Sequence, residues 1–595
     1  MRTKTCWRAS LLLAAALVAS RAAAEVPAVR FGVMSDTHVR LGKSGTWERV
    51  EKAFRVFKAQ GVDAIVHCGD LADYHLVRGY TNYHDIIVET YPDPAKRPQL
   101  LYVYANHDIL DPSALLDKRG DGNFVMKEKE CFAEMSEILE SPKELAQERE
   151  INGYAFLTFP ESFGLVGGHD FIRQRLTAAC AAHPGKPVFL FMHYPALGTI
   201  YGSEGGMGPG TRKLLDGFPQ VVFFSGHIHN SVRNELNIWQ DGFTAIDAGT
   251  LQEWYGSCVG SSISGKQGHD VLVAEAYPDR LVVRRFDTRT GEEVCARNRW
   301  TVPLPFDPKT APYAAAAAKA RERPAAFAAG TKIRITPDKA PFETVKVEFP
   351  DAAPVEGVFK YEIAICRANG KGGWTRISNV EVFGQFYLGA AERRPWMGTT
   401  FSSGYFEPGT RYRFEVRAKG FRGTIGNPLV AEWTAPEMVA YETVWESANP
   451  AADCTFKACG WVISDKAGVR KGAYRMWKPD ADGWFDVTTE SRLLLPEGVW
   501  KAPAKTPWRF IAEYEMEQPE GTSGCILHLN SILARQAPLI GWTGTPSGRT
   551  GLARYVNDFV SKEADDDLSV LFRCLTKARI RFRTIKIQKR SEGRN

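Results

Sequence analysis

Five times between Val29 and His229, a short apolar run of β character ends abruptly in a cluster of Asp, Asn or His. The runs are Val29–Met34 before Ser35-Asp36-Thr37-His38, Ala64–Cys68 before Gly69-Asp70, Gln99–Tyr104 before Ala105-Asn106-His107-Asp108, Val188–Met192 before His193-Tyr194, and Val221–Phe224 before Gly226-His227-Ile228-His229. Helix-type patterns over Thr46–Gln60 and around Tyr80–Thr90 separate the first three. Strands alternating with helices, each strand tipped with polar residues, predict an α/β sheet whose site lies along one edge. Asp70, delivered at the tip of the Ala64–Cys68 run, is placed to bridge two cations.

As ligands the tips together offer two aspartates, four histidines and one asparagine: Asp36, Asp70, His38, His193, His227, His229 and Asn106. A phosphate ester resists hydrolysis because its oxygens repel hydroxide and its leaving alkoxide is strongly basic. Two divalent ions about 3.5–4 Å apart answer both difficulties, generating hydroxide near neutral pH and clamping the oxygens during in-line displacement. Holding the ions that close needs a shared carboxylate with mostly neutral ligands around it. An imidazole and carboxylate set suits Mn, Fe, Zn, Co or Ni better than Mg or Ca.

The order DxH, GDxxD, NHD, H and GHxH over roughly residues 28–302 resembles the calcineurin-like metallophosphoesterase family. The resemblance implies a metallophosphoesterase α/β sandwich, with mixed β-sheets flanked by helices. It implies that Asp36, His38, Asp70 and His229 hold one ion, and that Asp70, Asn106, His193 and His227 hold the other. His107 would not be a ligand; it would face the phosphoryl oxygens or the leaving group, its ring oriented by Asp108. The implied reaction is hydrolysis of a phosphomonoester or phosphodiester by a metal-held hydroxide. One position departs from the family, which has glycine where this chain has Ala105. If that turn needs positive φ, alanine costs about 1 kcal/mol.

The substrate side is less legible. Tyr194, Tyr201, Trp254 and Tyr255 could line the mouth and receive an aromatic or sugar-bearing leaving group, or simply pack their loops. Asp73 is a second hydrogen-bonding acid or a helix cap. His75 reads as solvent-exposed. Gly202 to Gly210 is a loop over the metals or a plain surface loop, and the charged insertion Asp111 to Glu150 is a specificity cap or decoration.

At 595 residues the chain is too long for one core. Residues 1–24 have the layout of a cleaved secretory signal, with Arg2, Lys4 and Arg8, then Leu11 to Val18, then Ala22-Ala23-Ala24, so a secreted or periplasmic protein starting at Glu25 is expected. No later run is long enough to span a bilayer. The formal charge of +6 falls to +2 without Arg2, Lys4, Arg8 and Arg21, which argues against a nucleic-acid partner. The expected divisions are a phosphoesterase unit over 25–305, a Pro/Ala-rich linker over 306–331 with room for a short helix, and two all-β sandwich units over 332–436 and 437–595. Phe406 to Ala418 resembles the F strand of fibronectin type III domains, with Tyr412 at the tyrosine corner. The last unit looks like a jelly-roll module, and ten of the fifteen tryptophans follow residue 331. Exposed aromatics there could stack on a glycan, though buried tryptophans are the plainer reading. The competing function is therefore a silent phosphoesterase scaffold acting as an extracellular glycan-binding adhesin. The retention of His107, which would bind no metal, favours the hydrolase. Export permits disulfides, and Cys454 with Cys459 and Cys525 with Cys574 are the first pairs to test, with free buried thiols as the alternative.

Overall fold

The computed structural model describes residues 25–39, 45–72, 77–108, 123–160, 168–203, 209–255, 268–459, 474–487, 490–496, 498–499, 503–518, 526–531, 543–544, 548–549, 552–561, 568–573 and 578–591. The proposed signal segment, Asp73, His75, the core of the Gly202–Gly210 loop and the Cys525 and Cys574 pair lie outside these residues. Up to Pro303 the chain forms β1 (Val29–Met34), α1 (Thr46–Gln60), β2 (Ala64–His67), α2 (Val77–Thr90), β3 (Gln99–Tyr102), α3 (Asn123–Ile138), β4 (Gln147–Ile151), β5 (Tyr154–Thr158), α4 (His169–Ala182), β6 (Val188–Phe191), α5 (Pro209–Leu215), β7 (Val221–Ser225), β8 (Ile238–Asp241), β9 (Phe243–Asp247), β10 (Asp270–Ala276), β11 (Arg280–Asp287), β12 (Glu292–Val294) and β13 (Trp300–Pro303).

These strands build two mixed sheets. In the first, β1, β2 and β3 run parallel, and the sheet continues antiparallel from β1 through β10 and β11. In the second, β5, β6, β7 and β9 are parallel, with β4 and β8 antiparallel at the two edges. Strands buried on both faces read as continuous apolar runs, and the all-buried Tyr154–Thr158, Val188–Phe191 and Val221–Ser225 do so. The sheets face each other across Phe31, which meets Phe156, Phe189 and Phe224 at ring separations of 4.9, 4.7 and 5.9 Å.

Helices cover the outer faces. On α1 the buried Val50, Ala53, Phe54 and Phe57 recur at helical spacing and dock on the first sheet. Gly32 in β1 makes that docking close: a Cβ there would lie 2.5 Å from the Phe57 ring. Part of the charged insertion is absorbed into this layer, since Phe132, Met135 and Leu139 of and after α3 join the same core. The outer face of the second sheet is covered by Ile172 and Leu176 of α4 and by Leu214 and Leu215 of α5.

The C-terminal half is largely antiparallel β-sheet. After the short helix α6 (Ala315–Arg321), the segment from Arg334 to Thr434 has seven strands in sheets of three and four, sharing a core of Val345, Val347, Ile363, Ile365, Phe401, Phe414 and Val416. Tyr412 is buried in it and its hydroxyl accepts the Glu407 N–H at 2.8 Å. Two six-stranded antiparallel sheets between Tyr441 and Arg590 enclose a second core around Phe456, Phe510, Ile580 and Ile585. None of the described tryptophans here is exposed: Trp484 and Trp508 are buried, and Trp374 and Trp396 are half-buried beneath Arg411 and Arg334.

Cys454 is a free thiol, so the pairing with Cys459 is not made. Cys454 precedes the extended strand Thr455–Cys459 and Cys459 ends it, and five residues at about 3.3 Å each separate them by far more than the roughly 7 Å a disulfide tolerates. No helix among the described residues is long and apolar enough to cross a membrane.

Phe31 is fully buried in the core shared by the two sheets. Phe31→Ala is expected to lower the unfolding free energy of this α/β unit by about 3–5 kcal/mol, measured by chemical denaturation followed by circular dichroism; an unchanged midpoint would show that the sheets are held together elsewhere.

Candidate metal centre

The seven donors predicted from the sequence come from the carboxyl ends of β1, β2, β3, β6 and β7, so the two sheets converge on one point. The β1–β2 ladder runs on into the tips, with Asp36 N–H bonding Gly69 O and His38 N–H bonding Asp70 O at 3.1 and 3.0 Å. There the backbone turns sharply: Asp36, His38, Asp70, His227 and His229 have φ of 53°, 42°, 55°, 73° and 46°. Five non-glycine residues in the left-handed region within one cluster mark a constrained site. Ala105 is not among them, so alanine in place of the family's glycine carries no left-handed strain.

Asp70 sits at the centre. Its Oδ1 accepts the His107 N–H at 3.0 Å, while Oδ2 lies 3.4 Å from His38 Nε2 and 3.1 Å from His193 Nε2. Asp36 Oδ1 lies 3.2 Å from His229 Nε2, and its Oδ2 accepts the His227 N–H at 3.0 Å. His38 and His229 face each other with 3.3 Å between their Nε2 atoms. Donor atoms thus group as Asp36, His38 and His229, as Asp70, His193 and His227, and as His38, Asp70 and His107, each within 4.8 Å.

Two backbone carbonyls settle the orientation of the rings. His193 Nδ1 lies 2.8 Å from Cys68 O and His229 Nδ1 lies 2.8 Å from Glu253 O. A carbonyl only accepts, so each Nδ1 carries a proton and each ring turns its Nε2 inward toward the aspartates. With a proton or a metal ion at Nε2 these contacts are attractive. Metal–nitrogen bonds of about 2.0–2.1 Å at tetrahedral angles put donor atoms roughly 3.3 Å apart, which is the spacing found here. Asn106 adds a buried Oδ1 that has no hydrogen-bond partner among the described residues. The residues present therefore fit two divalent ions.

Burial opposes charge on both aspartates, yet the imidazoles prevail: His229, His38 and His193 hold Asp36 well below the usual carboxylate range, and His193, His38 and His107 do the same for Asp70. Burial pushes His227 down to about 3. His38 is raised despite its burial, by hydrogen bonding to Asp36 and by the charge of Asp70.

The Asp108 carboxylate accepts the N–H groups of Asp70, Ala72 and Ala105 at 3.1, 2.9 and 3.2 Å. It therefore pins the β2 and β3 tips together and sets the backbone of His107. The half-buried His107 lies edge-on to His38, with 4.6 Å between ring centroids.

Of the four aromatic residues expected at the mouth, two are there. Tyr255, 41% exposed, stacks on His229 at 4.1 Å and 4°, and Tyr194 leans on His227 at 4.1 Å. Tyr201 and Trp254 are not at the mouth: both are buried, Tyr201 against Phe359 and Trp254 against Tyr387, with Trp254 Nε1 donating to Asp270 Oδ2 at 2.8 Å. Asp247 was missed, although it ends the apolar β9 as the donors end their strands. It accepts from Asn237 Nδ2 and Gly249 N, and burial, then the Asp36 charge, pushes it well above the carboxylate range. His67 was also missed: it accepts the Gly69 N–H at Nδ1 and lies 3.1 Å from Thr37 Oγ1 at Nε2, which ties the first two tips.

Gly226 permits the closest approach in the site, since a Cβ there would fall 2.5 Å from Asp36 Oδ2 and 2.8 Å from Ser35 Cβ. Gly226→Ala is therefore expected to leave the fold intact and to weaken metal retention by about 10- to 100-fold, the usual size of a disturbance to supporting residues; equilibrium dialysis with elemental analysis measures it, and wild-type retention would contradict the crowding.

A family model described as calcineurin-like phosphoesterase matches residues 29–231. The phosphodiesterase MJ0936 of Methanocaldococcus jannaschii is 30% identical over 63 residues, 11% of this chain and 34% of that protein. The chain thus spans about a third of the length of that curated relative. Among solved structures, a dimetal phosphatase from Danio rerio aligns at 14% identity and TM-score 0.32, over 47% of this chain and 99% of its own. The purple acid phosphatase PPD1 of yellow lupin, Lupinus luteus, aligns at 12% identity and TM-score 0.31, over 46% of this chain and 53% of its own. Residues 29–231 carry a calcineurin-like phosphoesterase domain.

Proposed function

We propose that this protein is a phosphoesterase dependent on two divalent metal ions, hydrolysing a phosphomonoester or a phosphodiester. The observation that carries the reading is Asp70 Oδ2, which lies against His38 on one side and His193 on the other. One carboxylate oxygen between two imidazole-rich sets is the arrangement a dinuclear centre needs. Asp36, His38 and His229 complete one set with Asp70; Asn106, His193 and His227 complete the other. When bound, ions of the Mn, Fe, Zn, Co or Ni type would supply an activated water and neutralise the phosphoryl charge.

The protein's own residues do the rest. Cys68 O and Glu253 O keep the His193 and His229 lone pairs turned inward. Asp108 holds the turn bearing His107, leaving that ring at the half-open side of the cluster to donate to a phosphoryl oxygen or to the leaving group. Tyr194 and Tyr255 form an aromatic rim on which an apolar or sugar-bearing leaving group can rest. We further infer export with cleavage before Glu25, from the charged, apolar and small-residue order of residues 1–24. A fibronectin type III-like reading of 332–436 is supported by its three-plus-four strand arrangement and the Tyr412–Glu407 hydrogen bond.

Release of p-nitrophenol from mono- and bis-p-nitrophenyl phosphate, with each metal in turn, tests the activity and ranks monoester against diester. Asp70→Ala is expected to lose activity together with both metals. His107→Ala is expected to lose about 10²- to 10⁴-fold in kcat while keeping two metals per chain. Metal loss in His107→Ala would instead make it a ligand, as its grouping with His38 and Asp70 allows, and no turnover with any metal would overturn the hydrolase.

A further inference from the structure

The edge of the first sheet holds a second polar cluster that the dinuclear centre does not use. α1 starts after Gly45, at φ 100°, which offers no side chain to its first-turn amides. Arg49, in that turn, is only 6% exposed. Among the described residues neither its Nε nor its Nη1 meets a hydrogen-bond acceptor, and its helix neighbour Glu48 pairs instead with Lys52 at 2.7 Å. A Cβ on Gly45 would stand 4.0 Å from Arg49 Nη1, so the guanidinium lies beside the open end of the helix.

A guanidinium stays charged when buried, and leaving it unpaired is costly. Uncapped amides at a helix start add donors and a favourable dipole for negative charge. We propose that Arg49 and the open N-terminus of α1 form a subsite for an oxyanion, of the phosphate, sulfate or carboxylate kind, distinct from the metal centre. In the chain α1 follows the segment bearing Asp36 and His38. The oxyanion is either a second anionic group of the substrate or a free ion.

Full-length protein stripped of metal by a chelator, so that the dinuclear centre holds no anion, is titrated with sulfate at constant ionic strength. Calorimetry and the thermal midpoint report binding, independently of any hydrolase activity. Wild type is expected to bind and to gain about 3 °C or more at saturation. Arg49→Met, which removes the charge but keeps the stem, is expected to gain nothing and to be at least as stable as wild type without sulfate. Arg49→Lys, which keeps the charge but loses the fork, is expected to bind about tenfold more weakly. No response in wild type, or a full response in Arg49→Met, overturns the proposal. The source is then assigned on metal-loaded enzyme, a step that does rest on the phosphoesterase reading. A rise in KM for Arg49→Met confined to an aryl phosphate bearing a second phosphate makes the anion part of the substrate; equal effects on esters with and without it make the anion a free ion.

Discussion

Asp70 Oδ2 lies 3.4 Å from His38 Nε2 and 3.1 Å from His193 Nε2, and much of the surrounding architecture keeps it there. His193 and His229 are each held by a hydrogen bond from Nδ1 to a backbone carbonyl, which turns Nε2 toward the aspartates. Cys68, which supplies one of those carbonyls, follows directly on β2, and the Phe31 contacts pack the two sheets together behind it. The donor side chains are thus grouped by the fold itself, which is what the reading of a dinuclear centre requires.

The left-handed turns belong to the same balance. A left-handed conformation costs a non-glycine residue about 1–2 kcal/mol, and Asp36, His38, Asp70, His227 and His229 all adopt it. Aspartate tolerates it better than most, but histidine gains nothing there by itself. Such turns let a chain leave a strand tip and present two donors one residue apart, as in Asp36 and His38 or His227 and His229, toward one point instead of opposite faces. Successive side chains of an extended strand diverge, so the DxH and HxH spacings already signal that the backbone must bend.

That signal explains how much could be read beforehand. The strands were legible because buried parallel strands are continuous apolar runs, and the donors because polar residues interrupt those runs at their ends. β8 and β9 were not foreseen, for β8 at an edge alternates in burial and its run is short. The acceptors Cys68 O and Glu253 O have no side-chain signature at all. Asp108 was legible as a site residue, but its bonds to three backbone amides were not, since nothing in a motif says which amides a carboxylate meets. Tyr201 and Trp254 were misplaced because proximity in sequence to His193 or to Tyr255 says nothing about facing.

Trp254 shows what the C-terminal β region contributes. Leu251 to Tyr255 is one short segment with two allegiances. On its inner side Leu251 N–H bonds Ser35 O, Glu253 O takes the His229 proton and Tyr255 covers the His229 ring. On its outer side Trp254 packs on Tyr387, within a cluster that also holds Tyr201, Phe359, Phe386 and Phe421. Arg289 with Glu392, and Arg422 with the carbonyls of Glu235 and Ile238, close the same seam. Without that wall the outer face of the segment would lie in water, and loops so placed are the first to open. The β region between Arg334 and Thr434 is thus continuous, through five residues, with a metal donor and with the aromatic rim beside it. Its packing bears on the geometry of the centre even though none of the donor side chains comes from it.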